Sequence, residues 1–77
     1  MINEEKPNTT EKDFIRKIGK NFAKIRKFKK IKKKNIVLDK CVSMNTMNRL
    51  QNGENISLIT LFKLSNYLGV DVKEFFN

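Results

Sequence analysis

Apolar residues recur along this chain at steps of three and four, in short blocks that each open on a helix-capping residue and close on a helix-stopping one. No block alternates in the manner of a strand, so the pattern predicts an all-α bundle of five helices. Thr10 caps the first helix, with Asp13 in its first turn and Phe14, Ile15, Ile18, Phe22 and Ile25 on one stripe; Phe28 lies on the shoulder of that stripe. A short second helix is expected from Lys33 to Lys40, with Ile36 and Val37 inward. Ser43 caps a third, in which Val42, Met47 and Leu50 face the core and Asn52-Gly53 supplies the stop. Ser57 caps a fourth, with Leu58, Leu61, Leu64, Ser65 and Leu68 along its stripe and Gly69 at its end. Asp71-Val72-Lys73-Glu74 opens a fifth as a capping box, followed by Phe75 and Phe76. Residues 1–9, polar and containing Pro7, read as a mobile N-terminal arm, so the folded domain is expected over residues 10–77.

Charge narrows the function. The chain of 77 residues carries 17 Lys+Arg against 8 Asp+Glu, a net charge of +9, which points to a polyanionic partner. Residues 16–34 hold Arg16, Lys17, Lys20, Lys24, Arg26, Lys27, Lys29, Lys30, Lys32, Lys33 and Lys34 and no acid, while the remaining charges nearly cancel. The expectation is that one edge of the fold carries almost the whole positive field, as phosphate binding requires. Catalysis finds little material here. There is no His and one Cys, Cys41, which excludes the usual zinc spacings, catalytic triads and Cys-His pairs, and no pair of carboxylates is spaced for acid/base work. Gly19, Gly53 and Gly69 form no phosphate loop. The reading is a non-enzyme with no cofactor and no metal. A lone cysteine, an acidic start at Met1-Ile2-Asn3-Glu4-Glu5 and the lack of any apolar run near the roughly 20 residues of a membrane span suggest a cytoplasmic protein.

Residues 18–76 resemble the Cro/repressor-type helix-turn-helix domain, also called XRE-type or lambda-repressor-like. Val42-Ser43-Met44-Asn45-Thr46-Met47-Asn48-Arg49-Leu50-Gln51-Asn52-Gly53 is similar to the family's recognition helix and its closing Asn-Gly. The run Ser57-Leu58-Ile59-Thr60-Leu61-Phe62-Lys63-Leu64-Ser65-Asn66-Tyr67-Leu68-Gly69-Val70 is similar to its fourth helix, and Ile18-Gly19-Lys20 with Ile25-Arg26-Lys27 to its first. The resemblance implies that the third helix enters the major groove while the second meets a phosphate through its exposed amides. By matching positions it makes Met44, Asn45 and Arg49 base readers: Met44 against a thymine methyl, Asn45 on adenine, Arg49 on guanine. Lys32, Lys33, Lys34, Thr46, Asn48 and Asn52 become backbone or flank contacts. The chain departs from the family around the second helix, with Lys30 and Cys41 where Gly is usual, Val37 in place of a small Ala, and Lys40 where apolar residues are common. The favoured expectation is a strained left-handed conformation at Cys41 that Gly would relieve.

These readings converge on a transcriptional regulator, a repressor that binds double-stranded DNA at two half-sites as a homodimer. Tyr67, Val70, Val72, Phe75 and Phe76 put more apolar area on the C-terminal end than a monomer can cover, and are the expected dimer interface. The alternative is a protein-interaction module of the antitoxin type, with a toxin-like partner on Phe28, Ile59, Phe62 and Phe76. A basic amphipathic helix over residues 14–34 that binds an anionic membrane or an acidic groove is disfavoured, because the core needs its apolar stripe.

Overall fold

Four α-helices and one 3-10 helix follow one another in the computed structural model, which describes residues 10–77: α1 (Glu11–Phe28), α2 (Lys33–Leu38), α3 (Met44–Gln51), α4 (Leu58–Leu68) and a C-terminal 3-10 helix (Val72–Phe76). Among the described residues there is no strand. The arm expected over residues 1–9 lies outside the described residues. Thr10, Ser43 and Ser57 cap their helices as the sequence predicts, each accepting at 3.1 Å from the N–H three residues on.

The fifth helix is the correction to the expected architecture. Asp71 does cap it, accepting from the Lys73 N–H at 3.0 Å. The Glu74 carboxylate, however, accepts from the Asn77 amide at 3.2 Å instead of returning to the cap, so the box stays open; the segment itself is a single short 3-10 helix, not an α-helix.

All four α-helices end in one motif. An N–H two or three residues past the helix end reaches back to the carbonyl five residues earlier: Ile31 to the Arg26 carbonyl at 2.9 Å, Cys41 to Ile36 at 3.1 Å, Glu54 to Arg49 at 2.8 Å and Val70 to Ser65 at 3.0 Å. This Schellman geometry demands a left-handed residue in front of that N–H. Gly53 (φ 82°) and Gly69 (φ 73°) supply it without steric cost, whereas Lys30 (φ 60°) and Lys40 (φ 59°) supply it with a side chain attached. The left-handed residue of the α2–α3 turn is therefore Lys40, and the expectation that placed it at Cys41 is wrong by one position. The reason is that α2 stops at Leu38, two residues before its expected end at Lys40.

Ile18, Phe22, Ile36, Met47, Leu50, Leu61, Leu64, Leu68 and Phe75 form the core. Two residues of the expected stripes fail to reach it: Phe14 is 53% exposed and Leu58 is 78% exposed. Phe75 is fully buried, its ring edge-on to Phe22 at 6.2 Å, and so has no surface for a dimer interface. Burying each of these rings contributes about 1.5–3 kcal/mol, enough to hold a five-residue helix with little stability of its own. Asn21 fastens it further, donating from Nδ2 to the Phe75 carbonyl at 2.7 Å and the Asn77 carbonyl at 3.0 Å. On the other flank of α1, Gly19 lets α3 approach. A Cβ there would stand 2.8 Å from the Leu50 carbonyl oxygen, inside any permissible contact, so α3 is seated on backbone.

Candidate nucleic-acid interface

The direction of α3 follows from what anchors it. Met47 and Leu50 are buried, and at about 100° per residue the opposite side holds Asn45, Asn48, Arg49 and Asn52, all exposed. Met44, the first residue of the helix, is 39% exposed at the edge of that stripe. The expected base readers and two of the expected flank residues therefore share one solvent face. Thr46 does not join it: half-buried, its hydroxyl pairs with the Ser43 hydroxyl at 2.9 Å and works within the cap.

Arg49 is held rather than free. Its Nη2 donates to the Asn55 carbonyl at 3.1 Å and its Nε lies 3.5 Å from the Glu54 carboxylate. Nη1 and the second hydrogen of Nη2 remain for an acceptor beyond the protein. Glu54 and Asn55 were not legible as partners of Arg49, because they lie across the Gly53 turn, where helical spacing says nothing. The Schellman bond from Glu54 to the Arg49 carbonyl is what folds them back.

The lysines divide. Lys32 is the extended N-cap residue of α2 and makes no side-chain cap bond; Lys33 is half-buried at the first helical position, and Lys34 is exposed beside it. With Lys29 and Lys30 they make a basic corner leading into α2, which packs on α3. The cations of α1 spread round the helix: Lys12 and Arg16 lie against Gly53 at the end of α3, Arg26 donates to the Ile31 carbonyl beside that corner, and Lys17, Lys20 and Lys24 are exposed farther round, so the positive charge is wider than the single edge expected from the sequence. Among the described residues the ion pair of Arg49 with Glu54 is the one formed, and these cations are not neutralised by it.

The turn between α2 and α3 is braced against α4. The Tyr67 hydroxyl donates to the Asp39 carboxylate, and this bond pushes the phenol above its usual range. Half-buried Cys41 donates to the Lys63 carbonyl at 3.5 Å. Burial raises its thiol above the ordinary value, Lys63 opposes the rise and Asp39 adds to it.

Of the expected dimer residues, Tyr67, Val70 and Val72 are half-buried against the core, and Phe76 is 42% exposed. Phe76 sits 6.4 Å from Phe14, and the two share an apolar groove with Ile15, Ile56 and Leu58. Ile59 and Phe62 are exposed on α4, while Phe28, 85% exposed, lies beside Val70 at the far end of that helix. Of the four residues of the expected protein-binding surface, Phe28 and Phe76 thus border different grooves. Among the described residues no helix is long and apolar enough to cross a membrane.

No curated protein and no solved structure matches this chain. The model of one family does, over residues 21–77, from within α1 to the residue after the 3-10 helix. The matched residues include the short α2, the tight turn and the capped α3 with its exposed polar stripe, and the chain belongs to the Cro/C1-type HTH DNA-binding domain family.

Proposed function

We propose that this protein is a transcriptional repressor that reads double-stranded DNA in the cytoplasm as a homodimer on two half-sites. The observation that carries the reading is the exposed stripe of α3, where Asn45, Asn48, Arg49 and Asn52 present amides and a guanidinium side by side next to an uncompensated basic corner. Asn45 offers a donor and an acceptor to adenine N7 and N6, Arg49 its free hydrogens to guanine, and Met44 an apolar surface to a thymine methyl. Lys32, Lys33, Lys34, Asn48 and Asn52 hold the phosphates and flanks that set the register, with Thr46 contributing through the cap that orients α3. The groove at Phe76, Phe14 and Leu58 is the surface on which a second copy sits, and half-buried Tyr67, Val70 and Val72 contribute from the rest of the C-terminal segment.

Selection of bound sequences from a random duplex pool identifies the site. On that site Asn45→Ala and Arg49→Ala each lose about 1–3 kcal/mol, with almost no loss on random duplex. Equal losses on both would reduce these residues to backbone contacts. A second reading rests on Ile59 and Phe62, exposed together on α4: a protein partner, as an antitoxin has. A stoichiometric protein that copurifies and is lost in Phe62→Asp would favour it.

A further inference from the structure

Helix α1 has a third side that neither the core nor α3 uses. Gly19 marks where α3 lies against it, and Asn21, bonded to the Phe75 carbonyl, marks where the 3-10 helix lies. At about 100° per residue, Lys17, Lys20 and Lys24 fall between about 100° and 160° around the axis from Gly19, so the body of α1 stands between them and α3. All three are exposed. The acids near them are Asp13, one turn before Lys17, and Asp71 and Glu74, which border Lys24; none is ion-paired with these lysines, and Glu74 bonds Asn77. Lysines three and four apart repel one another and weaken their own helix, so this ridge works against the fold unless an anion meets it.

We infer that the ridge of Lys17, Lys20 and Lys24 binds a second segment of duplex DNA, so that one protein bridges two duplexes, one on α3 and one on α1. The inference rests on the DNA-binding reading of α3. These lysines point at least about 100° away from the side of α1 that meets α3, and so away from a duplex seated on α3. A second segment of the same DNA is the polyanion at highest local concentration, and it presents one charge per about 1.7 Å of its axis to a row of three lysines spanning about 10 Å. An anionic membrane is the poorer fit, because the apolar face of α1 is committed to the core and only Phe28 stands exposed near the ridge.

The test immobilises one duplex, adds the full chain, and measures capture of a second, fluorescent duplex at low salt. Wild type captures it. The triple variant Lys17→Gln, Lys20→Gln, Lys24→Gln captures at least about tenfold less, while its Kd for a single duplex changes by less than about threefold. Glutamine keeps the helix propensity of lysine, and an unchanged thermal melt verifies the fold. Undiminished capture by the triple variant would place the second duplex on another copy's α3 and overturn the inference. So would stronger capture of phosphatidylserine vesicles than of duplex, or absence of capture by wild type that binds single duplex normally. Wild type that binds no duplex sinks the reading of α3 as well.

Discussion

Lys30 and Lys40 hold backbone conformations that cost an L-residue roughly 1–2 kcal/mol each, a cost glycine escapes at the expense of about 0.5–1 kcal/mol in unfolded-state freedom. Lys30→Gly and Lys40→Gly are each expected to stabilise the domain by about 0.5–1 kcal/mol, seen as a rise of several degrees in Tm. Cys41→Gly has the opposite sign. Cys41 packs against the core with a negative φ, so the change removes contacts and loosens the chain, and Tm falls. The raised thiol is protonated at neutral pH, and alkylation by iodoacetamide is expected to run more slowly than for an unfolded chain. Lys30 was legible in the sequence as a departure from glycine. Lys40 was misread by one residue, because the left-handed position is fixed by where α2 stops, and no residue in Leu38-Asp39-Lys40 announces that stop. At Arg49 the pair with Glu54 contributes little to stability, being exposed on both sides. Its effect is on selectivity: Glu54→Ala removes a carboxylate from the DNA face and frees the guanidinium to seek any phosphate. Binding to random duplex is then expected to rise while the ratio of specific to random affinity falls about tenfold, or about 1.4 kcal/mol.

Helix α3 is the element that the sequence describes best, since its cap, anchors and stop are all local and chemically distinctive: Ser43, Met47 with Leu50, and Asn52-Gly53. The 3-10 segment is described worst. Asp71 signals a helix start, but the bonds that accompany the 3-10 turn, Asn77 to the Glu74 carboxylate and Asn21 to the Phe75 carbonyl, are not visible as periodicity. The same nonlocal packing explains why Phe75 and Phe76, adjacent and identical in type, have opposite fates, one in the core and one beside Phe14. If Phe76 meets a second copy, Phe76→Asp should weaken self-association and operator binding together, measured by sedimentation at micromolar concentration and by titration of two-site duplexes. A wild type that sediments only as monomer and binds single half-sites without cooperativity would remove the dimer from the proposal. Phe75→Asp, by contrast, is expected to unfold the domain, since it places a charge in the core.

For the whole molecule the sequence gives the sign and size of the charge but not how it is spread round α1, which depends on how that helix is rotated about its own axis by Gly19 and Asn21. The net charge of +9 predicts affinity for any duplex that weakens steeply with salt, log K falling by about 0.9 per phosphate neutralised. Replacing Lys33 and Lys34 should reduce that slope, and a Kd indifferent to ionic strength would refute the electrostatic account. The clasp of Asn21 on the Phe75 and Asn77 carbonyls joins residues 54 and 56 positions apart, so that the first helix and the last turn close on each other around all the rest. It runs beside the edge-on contact of Phe22 with Phe75, so side-chain bonds and ring burial tie the same two elements together. The domain therefore has no fraying end to sacrifice on this side. In hydrogen exchange the amides of α1 and of the final turn are therefore expected to open together, in one event and with one free energy, and Asn21→Ala to let the final turn open before the rest.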